Sequence, residues 1–329
     1  MVIKNNTLKN HITGAVRFEE RDGFLLPRRF TRKQADYIVK NDFLAPRSKM
    51  SAGVVLEFIT DTNSIAFDAI FLETSRNYYS FTVYIDDILE HNFSEENVES
   101  GRQVHIEFEL ENGMKKVQIY FPNLFETGIK DFIIDDYSVM NKIEKGKSIL
   151  FLGDSITHGY ATKFTSLTYA NILSRQLNAN ALNQAIAGDV FNDMNLDENL
   201  LFNPDMIFVA YGTNDWWHGI DITKTAQCYF NKLTKIYRQK DIYVILPIYR
   251  LDCEEKQERA TMPFCEFRNI LKNLCKQYEN ITIIDGWDFV PHFPEFYEDG
   301  YLHPNDMGFI LYSENLKTKL SEAGKCLQN

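Results

Sequence analysis

The chain has 329 residues, 44% of them hydrophobic, and carries a formal charge of −11 from 35 Lys and Arg against 46 Asp and Glu. That length and apolar content suffice for one large core or two ordinary ones, and the acidic balance without a Lys/Arg cluster excludes a general phosphate-tracking surface for nucleic acid. The five cysteines, Cys228, Cys253, Cys265, Cys275 and Cys326, form no CxxC pair and have no histidine spaced to complete a zinc site, so they read as reduced structural thiols, with no metal or other cofactor expected. Met1 to Gly14 is polar, without the apolar centre of a signal peptide, and no run approaches the roughly 18 apolar residues of a membrane span, so the expectation is a cytoplasmic protein without a membrane partner.

In chain order, Phe24 to Pro46 comes first, where Phe30-Thr31 followed by Gln34, Tyr37 and Ile38 predicts one short helix. From Val54 to about Tyr137 the hydrophobic period is two, with strands at Val54 to Thr60, Ser64 to Ile70 and Phe81 to Ile85 separated by polar turns. Ile106, Phe108 and Leu110 alternate with His105, Glu107 and Glu109; Asn112-Gly113 offers a turn, and Val117, Ile119 and Phe121 continue the alternation, which reads as an antiparallel hairpin. Short strands with frequent turns indicate a β-sandwich. The charged connector Asn141 to Lys147 then marks a boundary, dividing the chain into residues 1–143 and 144–329.

Beyond it, short unalternated apolar runs at Ser148 to Leu152, Ala181 to Gln184, Met206 to Tyr211, Ile242 to Leu246 and Ile281 to Ile284 are expected strands of a parallel sheet covered on both faces. Helical patterns lie between them, at Tyr169 to Leu177, Phe230 to Tyr237 and Phe267 to Leu274, and Asp306 to Ala323 is a final helix. This is a doubly wound α/β domain with five parallel strands, whose ligands bind outside the carboxyl ends of the strands.

Four segments converge on that edge. Gly153-Asp154-Ser155 follows the first strand, placing the Ser155 hydroxyl at the edge and its N–H at a helix start; taken alone it is a turn with a capping serine. Gly188 follows the second strand and Asn214, in Gly212-Thr213-Asn214-Asp215, the third, so the N–H groups of Ser155 and Gly188 and the Asn214 amide form a candidate oxyanion hole. His303, from the loop before the last helix, suits a general base for Ser155, and Asp299 four residues earlier could orient its ring.

These blocks, in this order from Ser148 to the C-terminus, resemble those of the SGNH/GDSL hydrolases. The resemblance implies a flavodoxin-like three-layer fold and metal-independent ester hydrolysis, with Ser155 as nucleophile, His303 as base and Ser155, Gly188 and Asn214 as oxyanion donors. One departure stands out: the family usually places Asp three residues before His, whereas Asp299 and His303 are four apart. Either a bulge keeps Asp299 in contact, or the site runs as a Ser-His dyad with a backbone carbonyl orienting the imidazole. The preceding sandwich resembles the N-terminal jelly roll of two-domain acetyl esterases of carbohydrate esterase family two.

Trp216 and Trp217, directly after the Asn214 block, are candidate substrate contacts, able to stack on a sugar ring or cap a small acyl pocket. The loop from Tyr249 to Pro263 is long and polar and reads mostly as a solvated connection. The expected function is a serine carboxylic-ester hydrolase that deacetylates an O-acetylated carbohydrate or similar small-molecule or oligosaccharide ester. A lysophospholipase or acyl-thioesterase is the rival within enzymes, and a catalytically vestigial carbohydrate-binding protein the rival from another class.

Overall fold

A computed structural model describes residues 1–255 and 257–323, so Cys326 lies outside the described residues. The first part of the chain forms two antiparallel sheets. One runs in the order Arg17–Arg21, Phe24–Arg28, Phe125–Ile134, Ser64–Thr74, Gln103–Glu109, with Val2–Ile3 also pairing on Phe125–Ile134. The other runs Ile12–Thr13, Val55–Thr60, Lys115–Tyr120, Tyr78–Ile85, Ile88–Glu96. Strand Ser64–Thr74 shows how the pattern works: Ile65, Phe67, Ala69 and Phe71 are buried, while Ser64, Ala66, Asp68 and Ile70 on the other face are only partly covered. The two inner faces meet through aromatic rings, with Phe67 of one sheet 5.4 Å from Phe81 of the other.

The expected hairpin across Asn112-Gly113 does not form. Gln103–Glu109 pairs with Ser64–Thr74 in one sheet, and Lys115–Tyr120 pairs with Val55–Thr60 and Tyr78–Ile85 in the other. Gly113, with φ +108°, turns the chain from sheet to sheet. Alternation fixes which residues are buried, and Ile106 and Phe108 on one side and Val117 and Ile119 on the other do share the core; it carries no information about which strand lies alongside. The single helix expected between Phe24 and Pro46 is accompanied by a second. Arg32–Ile38 starts on a Thr31/Gln34 capping box, and Leu44–Lys49 follows.

The second part is a five-stranded parallel sheet in the order Ala179–Asn183, Lys147–Gly153, Met206–Ala210, Asp241–Leu246, Ile281–Asp285. Helices Tyr169–Gln176 and Asp306–Glu322 pack on one face and Ile222–Ile236 and Phe264–Cys275 on the other, giving three layers with a buried core on each side of the sheet. In this order the connections reverse direction between the first strand and the third. A crevice therefore opens at the carboxyl ends of Lys147–Gly153 and Met206–Ala210.

The β-sandwich packs directly against that edge. Arg29, fully buried, donates to the carbonyls of Met50, Asn183, Ala185 and Arg47 at 2.6 to 3.1 Å. Asn123 Nδ2 donates to Gly159 O and to Thr162 Oγ1, while His158 Nε2 lies 2.7 Å from Asn123 O. Burial and the nearby Arg29 charge push the His158 imidazole down to about 3, so it sits there neutral.

Candidate active site

The first strand ends at Gly153, where a Cβ would collide with Thr157 Oγ1 and Ala210 O; only glycine lets the chain turn so sharply under its neighbour. Asp154 caps the next turn, its carboxylate accepting the Ile156 N–H at 3.0 Å. Ser155 opens the one-turn helix Ser155–His158, which Gly159 ends in the left-handed conformation at φ +83°. Ser155 is thereby held at the carboxyl edge of the sheet, in the crevice.

His303 arrives from the loop before the last helix. Its Nε2 lies 2.8 Å from Ser155 Oγ and its Nδ1 2.6 Å from Asp299 Oδ2. The spacing of four residues is accommodated by a tight loop. Gly300 takes φ +80°, Tyr297 and Pro304 bridge across the base, and Asp299 Oδ1 accepts the N–H groups of Tyr301, Leu302 and His303 at 2.9 to 3.2 Å. Burial raises the affinity of the Asp299 carboxylate for a proton. The His303 hydrogen bond and charge and the backbone donors outweigh that and hold it well below the usual carboxylate range. Of the two arrangements that the sequence left open, the structure has the carboxylate on the imidazole.

Gly188 (φ +87°) and Gly212 (φ +127°) both adopt backbone conformations that favour glycine, one in each of the loops after the second and third strands. The loops are tied together, because Asn214 Nδ2 donates to Asp189 O at 2.9 Å. An amide has two N–H groups, so this bond orients Asn214 and leaves it a further donor. Behind the loops lie three buried carboxyl groups. Burial pushes Asp154, Asp189 and Asp215 each up to about 7, and Asp215 also raises the other two.

The two tryptophans part company. Trp216 is 3% exposed, its indole N–H donates to Met262 O at 2.8 Å, and its ring lies 4.8 Å from Phe264. Adjacent residues of a helical turn point about 100° apart, so Trp216 enters the core and is unavailable as a substrate platform, while Trp217 keeps 36% of its surface. The loop after Tyr249 is largely solvated as its composition suggests, with Glu254, Glu255, Glu258, Arg259, Thr261 and Pro263 exposed, but its start is not. Arg250 is buried, pairs with Asp252 at 2.5 Å and lies 5.0 Å from both indole rings.

Sequence reasoning missed every residue that the first half of the chain brings to this edge. Phe43 lies against Gly188, where a Cβ would meet its ring, and Arg47 stacks on Phe43 at 3.8 Å. Tyr160 lies 5.4 Å from the His303 ring, and Arg76 covers Tyr160 at 4.6 Å. Their local composition carried no signal, since only the tertiary fold places Phe43 and Arg76 here. Among the described residues no group of three or more His, Cys, Asp or Glu is placed to hold a metal ion.

Residues 151–309 match the GDSL-like lipase/acylhydrolase family, and that part of the chain is a domain of this family. Solved structures share the whole architecture at low identity. Salicylyl-acyltransferase SsfX3 from a tetracycline biosynthetic pathway aligns at 18% identity with a TM-score of 0.82, covering 97% of this chain and 96% of its own. A family two carbohydrate esterase from Cellvibrio japonicus aligns at 16% identity and 0.67, covering 100% and 98%. The acetyl xylan esterase Est2A from the rumen bacterium Butyrivibrio proteoclasticus aligns at 13% and 0.61, covering 84% and 92%. No curated protein matches the chain in sequence. At these identities the likeness establishes a shared fold, a three-layer α/β domain behind antiparallel β-sheets.

Proposed function

We propose that the protein is a serine carboxylic-ester hydrolase that removes small acyl groups, acetyl above all, from a carbohydrate or similar small substrate through an acyl-enzyme. The observation that carries this reading is the relay from Ser155 Oγ to His303 Nε2 at 2.8 Å and from His303 Nδ1 to Asp299 at 2.6 Å, set beside the loops of Gly188 and Asn214. Acetyl esterases among the proteins of the same fold support the choice of acyl group.

In this mechanism Ser155 Oγ attacks the ester carbon as its proton passes to His303 Nε2. The carbonyl electron pair moves to the oxygen, held by the N–H groups of Ser155 and Gly188 and by the Asn214 amide. Collapse breaks the bond to the alcohol, which leaves with the proton from His303, and acyl-Ser155 remains. Water, deprotonated by His303, then attacks the acyl carbon; the bond to Ser155 Oγ breaks, His303 returns its proton to that oxygen, and the acid leaves with Ser155 restored. Asp299 fixes the imidazole tautomer and stabilises the imidazolium in both halves. Residues 1–143 and 144–329 serve as two domains, with the second carrying this chemistry. A cytoplasmic setting agrees with the free thiols of Cys228, Cys253, Cys265 and Cys275.

Ser155→Ala is expected to lower hydrolysis of p-nitrophenyl acetate by about 10⁴-fold or more, and a fluorophosphonate should label Ser155 in the unaltered protein. Full activity of the variant would sink the mechanism. On p-nitrophenyl esters of increasing acyl length, a steep fall after acetyl is expected; a rise with length would reassign the site to a lysophospholipase or thioesterase.

A further inference from the structure

Two guanidinium groups stand on aromatic rings that touch the proposed catalytic groups. On the base side, Tyr160 lies 5.4 Å from the His303 ring and the Arg76 guanidinium 4.6 Å above Tyr160. On the oxyanion side, the Phe43 ring rests against Gly188 and the Arg47 guanidinium lies 3.8 Å over Phe43. Phe43, Arg47 and Arg76 all come from the β-sandwich half, Phe43 is 54% exposed, and both arginines are half-buried.

Like Arg175, which stands over Tyr84 and Tyr120 away from the proposed catalytic groups, these two arginines have no carboxylate partner among the described residues. Arg28, Arg250 and Arg268 are each paired with Asp or Glu, and Arg29 is saturated by carbonyls. Among the described residues neither Arg47 nor Arg76 makes an ion pair. Arg47 donates one N–H to Phe43 O at 2.5 Å. A stacked guanidinium is fixed in orientation by the ring, and its edge N–H groups remain directed outward as a fork that matches a carboxylate, sulfate or phosphate. Two such forks, each one aromatic ring away from a proposed catalytic group, in a chain of formal charge −11, are a positive feature that a neutral sugar ester would not need.

We infer that the substrate ester carries an anionic group on its alcohol portion, as an acylated acidic sugar does, and that Arg76 and Arg47 bind it. Arg76 is the nearer to the leaving alcohol, because its ring partner Tyr160 abuts the imidazole that protonates that alcohol. This inference rests on the esterase reading above and adds the charge class of the substrate to it.

The test uses the full chain and three aryl acetates of similar size: 4-acetoxybenzoate, its neutral methyl ester, and 4-acetoxyphenyl phosphate. The protein is expected to prefer an anionic ester to the neutral one by about tenfold in kcat/KM, mainly through KM, and about 0.5 M salt should remove most of the preference. Comparison of the carboxylate and phosphate esters tells which anion the forks fit. Arg76→Gln and Arg47→Gln should each lower the anionic-to-neutral ratio about fivefold or more, with Arg76→Lys restoring part of it. Arg21→Gln, on the far edge of the sandwich, should leave the ratio unchanged. Equal kcat/KM for charged and neutral esters would overturn the inference while leaving the esterase reading standing, provided the turnover depends on Ser155. No turnover of any ester, with no fluorophosphonate label on Ser155, would overturn both.

Discussion

Asp299 accepts four hydrogen bonds from a span of three residues, the N–H groups of Tyr301, Leu302 and His303 and the His303 imidazole. The loop is built around this carboxylate, which explains how an Asp-to-His spacing of four still delivers the side chain to Nδ1. Its depressed proton affinity means that Asp299 stays ionised throughout the proposed mechanism. The stability it contributes is fully present above the ordinary carboxylate pKa, near about 4, and drains away as the pH falls through its lower folded value. Asp299→Asn keeps the shape but replaces an acceptor with an amide that can hold the wrong imidazole tautomer. It should lower kcat on p-nitrophenyl acetate by about 10²- to 10⁴-fold with little change in KM. A loss of less than about threefold would mean that the site works as a Ser-His dyad.

At the scale of elements, the loops after the first three parallel strands each bury one carboxyl group behind the proposed catalytic edge: Asp154, Asp189 and Asp215. Asp189 Oδ1 and Asp215 Oδ2 are buried and have no hydrogen-bond partner among the described residues, an arrangement tolerable for protonated acids and costly for carboxylates. Their folded proton affinity, raised to about 7, lies above that of the unfolded chain. The stability they contribute is therefore complete below about pH 4 and is lost as the pH rises through about 7. Asp189→Asn removes one such titrating group, so its stability should gain on that of the unaltered protein as the pH rises from about 4 to about 7, by on the order of 1 kcal/mol per pH unit, and the difference should level off above about 7. A difference that is flat or shrinks would show that Asp189 is already ionised. These loops were legible in the sequence because a parallel sheet gathers strand-end loops at one edge, so Ser155, Gly188 and Asn214 could be assembled from order alone. The hairpin at Asn112-Gly113 was misread because alternation gives a face and not a neighbour. Phe43, Arg47 and Arg76 were invisible because they meet the site only through the packing of one half of the chain on the other.

For the whole molecule, that packing makes the β-sandwich part of the candidate site. Tyr78 OH donates to Lys163 O at 2.6 Å, Thr165 Oγ1 to Ser80 O at 2.9 Å, and Thr31 Oγ1 to Asp197 Oδ2 at 2.7 Å, so the seam is stitched along its length by polar contacts. Arg29 grips the chain just before the Gly188 loop, and Asn123 grips the turn that ends the Ser155 helix. Because both contacts are buried, removing one partner strands the other, at about 1–3 kcal/mol per unsatisfied group. The two halves should therefore melt in a single calorimetric transition. Asn123→Ala should lower that transition and also lower kcat, about tenfold, since a displacement of the Ser155 turn by a fraction of an ångström degrades its alignment with His303. Two separate transitions, with kcat unaffected by Asn123→Ala, would show instead that the sandwich is an independent neighbour whose contacts do not hold the turn in place.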